Sequence, residues 1–245
     1  MKKKVIVEDN STVQILTPVN IVGFILVMMA GWIDTASLKL FLNERVSFMT
    51  GRAAELGELI AKGNIKSFYF IITIVVIFII GAAISSKITK KCGLLGGLTF
   101  SGMVLLIAAF FIYKGDTRFV AIAIPMAMGG QNAATSLTPI NRTTHLTGPA
   151  TDIGVHLSSG NWNGIIFWLL RWIAFPLGAF LGFQFIEKFT TQNYIDNSMV
   201  IIIPAIIIIL TAIVQKMTVD IPLLEDEITY DEDRFIHLEE RNSAI

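Results

Sequence analysis

Cysteine is almost missing: Cys92 stands alone among 245 residues. That excludes an internal disulfide and any zinc site built on thiolates. Its position beside Lys90 and Lys91 leaves acylation at a membrane edge open, against the commoner reading of an idle thiol. Charge is scarce too, at 16% of residues where soluble domains carry about a quarter. No basic stripe of the kind that holds nucleic acid is present. There is no H-E-x-x-H, no G-x-S-x-G and no P-loop, so neither an enzyme nor a catalytic residue is expected. Histidine is limited to three residues. Asp152 and His156 are i, i+4 neighbours with His145 upstream, but no further ligand is near, and neither a metal nor a cofactor is expected. A cleavable leader is not expected either, because about sixteen polar-rich residues precede the first apolar block and no small-residue cleavage pattern follows it.

What the chain has in plenty is apolar length: 53% of residues are hydrophobic. Backbone polar groups cannot be satisfied by lipid, so about 20 apolar residues in a helix are needed to cross a bilayer. The blocks at 19–41, 66–86, 93–113, 118–137, 162–186 and 198–215 meet or approach that length. They predict an all-α integral membrane protein of about six spans, with the lipid bilayer as its main partner and the cell (inner) membrane as its location. Two stretches, 44–63 and 141–161, are too polar to cross. Lys87, Lys90 and Lys91 crowd a very short connection, which favours cytoplasmic N- and C-termini. The tail after Lys216 is acidic, and its IPLL and RFIHL pieces could dock.

Sliding the chain against itself by 97 residues aligns Arg45 with Arg142, Thr50-Gly51 with Thr147-Gly148, Gly63-Asn64 with Gly160-Asn161 and Gly81-Ala82 with Gly178-Ala179. Residues 43–86 give eleven identities in this register, against roughly three expected from composition. One inserted residue aligns Gly31, Asp34 and Ser37 with Gly129, Asn132 and Thr135. The expected organisation is an N-terminal segment (1–17), a first three-helix repeat (18–115), a second (116–216) and an acidic tail (217–245). Three is odd, so the second copy must enter the membrane from the opposite side. Inverted repeats of this kind characterise secondary transporters.

Asp34 is the sharpest site residue, because a charge within a span needs a partner or a wet cavity. It reads either as a proton- or cation-coupling group or as half of a structural ion pair. Arg171 lies about nine residues inside its span; it could bind an anionic substrate, snorkel, or pair with Asp34 so that neither charge is left bare. Asn132, the repeat mate of Asp34, and its neighbour Gln131 could face the same site or simply bond between helices. Thr50, Gly51, Thr147 and Gly148 are expected at broken or re-entrant helix starts, whose backbone groups hold ions or polar solutes. Arg45, Arg52 and Arg142 form a set that could clamp an anion, with interfacial anchoring as the plainer role.

The runs GWIDTAS, SFMTGRAAELG, GGQNAA and RTTHLTGPATDIG, in this order between spans, resemble the signature segments of the YoaK-like membrane proteins. The likeness covers roughly residues 18–215. It implies a six-span bacterial inner-membrane protein and supplies no substrate or activity. Arg52 departs from the asparagine more usual after the first Met-Thr-Gly. The expected function is a secondary transporter or permease for a small polar or ionic solute. The alternative is a membrane scaffold or sensor working through the acidic tail. Whether the chain forms a homo-oligomer is left open.

Overall fold

The computed structural model describes residues 15–189, 194–219 and 221–224. They contain helices and no strand. Helix α1 (Pro18–Ala36) opens where Thr17 accepts a hydrogen bond from the Asn20 N–H at 3.2 Å, with Pro18 at the first helical position. It runs on through a π-helical turn, Ser37–Phe41, and so fills the first expected span. The polar stretches fold as two short helices, α2 (Met49–Ala61) and α5 (Thr147–Ser158). The remaining apolar blocks form α3 (Ile65–Tyr113), α4 (Val120–Ser136), α6 (Trp162–Phe189) and α7 (Tyr194–Thr218).

Among the described residues, four stretches are long and apolar enough to cross a membrane: Pro18–Phe41, Ile65–Tyr113, Trp162–Phe189 and Asn197–Thr218. The 49-residue α3 is not one rod. Gly93 interrupts it at φ 70°, ψ −175°, a backbone state that side chains disfavour. The Ser85 hydroxyl then donates to the Gly97 carbonyl at 3.4 Å. Residues twelve apart in a continuous helix would be about 18 Å apart along its axis. The arms 65–92 and 94–113 therefore fold back on each other. A short loop was expected here from the lysine cluster; the turn is made at one glycine instead.

Two helix crossings are built alike. A Cβ on Gly31 of α1 would overlap the Phe175 carbonyl of α6, and one on Gly178 of α6 would overlap the Met28 carbonyl of α1. In the second crossing a Cβ on Gly129 of α4 would overlap the Phe78 carbonyl of α3, and one on Gly81 of α3 the Met126 carbonyl of α4. Small residues let backbones approach this closely, and within lipid such packing substitutes for the missing hydrophobic drive between helices. Every partner in the first crossing lies 97 or 98 residues from its counterpart in the second.

Helix α1 is central: 72% of its apolar window is buried, against 22% for both α3 and α6. Ile79, Phe180 and Leu210 point outward, as side chains facing acyl chains do. Pro204 removes a helical N–H in α7 and frees the Val200 carbonyl; the Trp32 indole N–H takes it at 2.9 Å and ties α7 to α1. After α7 the chain returns to the end of α4, where the Leu224 N–H donates to the Leu137 carbonyl at 2.8 Å and Ile221 is buried. The IPLL piece thus docks. RFIHL, the acidic residues from 225 onward and the N-terminal lysines lie outside the described residues.

Candidate functional site

A cavity of about 600 Å³ lies where α1, α2, α5 and α6 meet the loop after α4. Its wall includes Asp34, Arg45, Arg142, Asp152 and Arg171, with Thr50, Thr147 and Gly148 from the starts of α2 and α5. Seven of the eleven residues singled out in the sequence therefore share one cavity. Gly51, Arg52, Gln131 and Asn132 do not line it. Phe48, Met49, Leu146, Trp168 and Phe175 supply an apolar side that the sequence did not flag.

Asp34 is buried and saturated. Its Oδ1 accepts from the Val46 N–H at 3.0 Å, the Ser47 N–H at 3.1 Å and the Ser47 hydroxyl at 2.8 Å. Its Oδ2 pairs with Arg45 at 2.9 Å. Pairing with Arg171 does not occur. The reason is reach along the chain: the segment just after α1 doubles back, and its own amides and Arg45 occupy the carboxylate first. Four donors leave the carboxylate little lone-pair capacity for a bound cation. The arrangement is that of a clasp holding residues 45–47 against α1, which sets the start of α2 at the cavity.

The second half repeats the clasp in weaker form. The Asn132 Oδ1 accepts from the Thr144 N–H at 3.4 Å, the counterpart of Asp34 and Ser47. Gln131, also buried, donates to the Leu26 carbonyl at 2.9 Å and to the Thr143 hydroxyl at 3.1 Å. Asn132 thus holds the loop behind the cavity and Gln131 holds both that loop and α1, and neither lines the cavity wall. Gly51 sits beneath the Phe48 ring, whereas a Cβ at Gly148 would meet nothing within 4 Å.

Two buried guanidinium groups cap equivalent loop carbonyls. Arg52 donates to the Arg45 carbonyl from Nε at 3.0 Å and from Nη2 at 2.6 Å, and pairs with Glu44 and Glu55. It is consumed by this network, which is why it does not line the cavity beside Arg45 and Arg142. In the other half Arg171 reaches from α6 to the Arg142 carbonyl at 2.9 Å and the Asn141 carbonyl at 3.2 Å, both from Nη2. Its guanidinium carbon lies 5.7 Å from the Trp168 ring centroid, a cation–π contact. Its Nε–H is buried and has no hydrogen-bond partner.

His145 also lines the cavity. Burial, and then repulsion from Arg142, push its pKa below the ordinary 6.5. The neutral imidazole is therefore favoured in the folded protein, while the unfolded chain takes up its proton near 6.5. Stability carried by this residue is complete above that pH and is lost as pH falls through 6.5 toward the lower folded value. His145→Phe, which installs the residue found at the repeat position (Phe48), is expected to flatten the fall in thermal midpoint between pH 7 and pH 5.5. An unchanged slope would remove His145 as its source.

The class is thereby defined: among the described residues, an all-helical protein with several membrane-length apolar helices, two of which, α1 and α6, contribute to a cavity lined by charged and apolar side chains. Residues 22–215 match the family described as "Protein of unknown function (DUF1275)", and the chain belongs to that family. The YoaK-like resemblance agrees with this membership. No curated protein and no solved structure matches the chain.

Proposed function

We propose that the protein is a secondary transporter or permease for a small polar or ionic solute, with alternating access around this cavity. One observation carries the reading. The starts of α2 and α5, one from each half of the sequence repeat, converge with Asp34 of α1 and Arg171 of α6 on a single cavity. Helix starts present unsatisfied N–H groups and a positive dipole end, and transporters use pairs of broken helices in this way.

The six-span count is supported by the fold-back at Gly93, which divides α3 into two crossings, and by α4, whose 17 residues fall just short of a full span. The inverted repeat is supported by the paired glycine crossings and by the paired clasps at Asp34 and Asn132. In this arrangement the two halves rock about α1 and α4, opening the cavity to one side of the membrane and then to the other.

Access chemistry tests the reading, starting from a Cys92→Ser background without thiols. Thr50→Cys and Thr147→Cys are each expected to react with a membrane-impermeant maleimide from opposite faces of proteoliposomes. Solute uptake should also saturate with concentration. Reaction of both from the same face alone, without uptake of any solute, would sink the transport reading.

A further inference from the structure

We infer that the solute is a small organic monoanion whose carboxylate is bound by Arg171. In naming a substrate class this rests on the transport reading. The inference starts from a difference between two equivalent positions. Both loop carbonyls at 45 and 142 are capped by a buried arginine. Arg52, which caps the first, has Glu44 and Glu55 as counter-charges. Asn141 stands where the repeat has Glu44, and no carboxylate lies within 4.0 Å of Arg171 among the described residues. Arg171 is only 3% exposed, its Nε–H is unsatisfied, and it lines the cavity. A buried charge without a partner is costly, and a guanidinium offers a planar fork that matches a carboxylate.

The rest of the wall agrees in sign. Three arginines and two aspartates line the cavity, and Asp34 is already committed to Arg45, so one positive charge is in excess while His145 is neutral. Thr147, Gly148 and Pro149, the first turn of α5, face the cavity, and no side chain caps that helix start. Its positive dipole end adds to the field for an anion. Trp168 and Phe175 beside Arg171, with Phe48 from the other half, suit an apolar body on the anion more than a bare inorganic ion.

The test is calorimetry and thermal shift on the purified full chain, with benzoate, butyrate, inorganic phosphate, choline and glucose as probes. Benzoate and butyrate are expected to bind wild type. Arg171→Gln should weaken them by on the order of tenfold or more, and Arg171→Lys by less, because an ammonium keeps the charge without the fork. Should Arg171→Gln fail to fold, two cavity substitutions at less buried residues decide. Arg142→Gln is expected to weaken benzoate and Asp152→Asn to tighten it, while Arg118→Gln, on an exposed turn away from the cavity, changes nothing. Unaltered benzoate binding in folded Arg171→Gln overturns the inference, as does phosphate binding in place of both carboxylates or no carboxylate binding at all. Uptake of choline or glucose with no carboxylate binding overturns it while leaving transport standing. Arg171-dependent benzoate binding without uptake of any solute supports the anion site and counts against transport.

Discussion

Gly31→Ala and Gly178→Ala are each expected to lower the thermal midpoint of the purified protein sharply, and Gly129→Ala and Gly81→Ala to do the same. A single methyl at any of these positions would fall well inside contact distance of a carbonyl oxygen on the facing helix. Backbone cannot rotate away as a side-chain tip can, so the helices must part along the crossing. Overpacking costs 1–3 kcal/mol in ordinary cores, and with rigid backbone on the other side about 3 kcal/mol is expected. The contrast lies in the short helices. A Cβ at Gly57 in α2 or Gly154 in α5 would meet nothing within 4 Å. There alanine removes only the conformational freedom of glycine, and a gain of about 0.5–1 kcal/mol is expected. The same substitution thus has opposite signs at crossing and non-crossing glycines. Thermal unfolding of the six variants, each checked by size exclusion, measures this; a Gly31→Ala protein as stable as wild type would refute the crossing geometry. Costs that match between Gly31 and Gly129, and between Gly178 and Gly81, are also expected, because each pair faces the same carbonyl environment.

Those crossings show what the sequence made legible and what it did not. Apolar length alone predicted the long helices, since the bilayer requirement acts on composition and needs no partner. Repeat matching singled out Gly81 and Gly178 as equivalents, and Gly31 and Gly129 likewise. It could not reveal that α1 packs on α6 and α4 on α3, because sliding a chain against itself finds equivalence and is blind to contact. The same blindness applies to Asp34. Asp34 and Arg171 are both charges inside spans, and the sequence leaves mutual pairing open as one reading among several. Two of the four partners of Asp34 are backbone N–H groups, at 46 and 47, which every residue but proline possesses and which leave no mark in composition. Arg52 failed as a cavity residue for a related reason: its neutralisers, Glu44 and Glu55, flank it in sequence, but the polar stretch gave no sign of which charges would turn inward. The Thr-Gly segments were legible because helix starts are coded locally, and both reached the cavity.

Asp34→Ala is expected to be among the most destabilising single substitutions in the chain, and by a route distinct from the glycine crossings. It leaves the N–H groups of Val46 and Ser47 and the Ser47 hydroxyl without their acceptor, at residues that are themselves buried. Losing charge-assisted bonds at a buried site costs about 3–5 kcal/mol. Asn132→Ala removes one long 3.4 Å bond to a neutral amide oxygen, and about 1 kcal/mol is expected. Arg45→Gln should cost less than Asp34→Ala as well, because the Arg45 side chain is 47% exposed and water can replace much of the ion pair. Asp34→Asn should fall between, since one oxygen can still accept from the loop while the charge and the second acceptor are gone. The order Asp34→Ala, Asp34→Asn, then Arg45→Gln and Asn132→Ala, read from chemical denaturation in detergent, distinguishes a clasp from a coupling group. A clasp moves stability in that order and changes ligand binding only as far as α2 loosens. A coupling group would leave the Asp34→Asn protein as stable as wild type and abolish its transport, which would restore the proton- or cation-coupling role that a carboxylate within an apolar span invites.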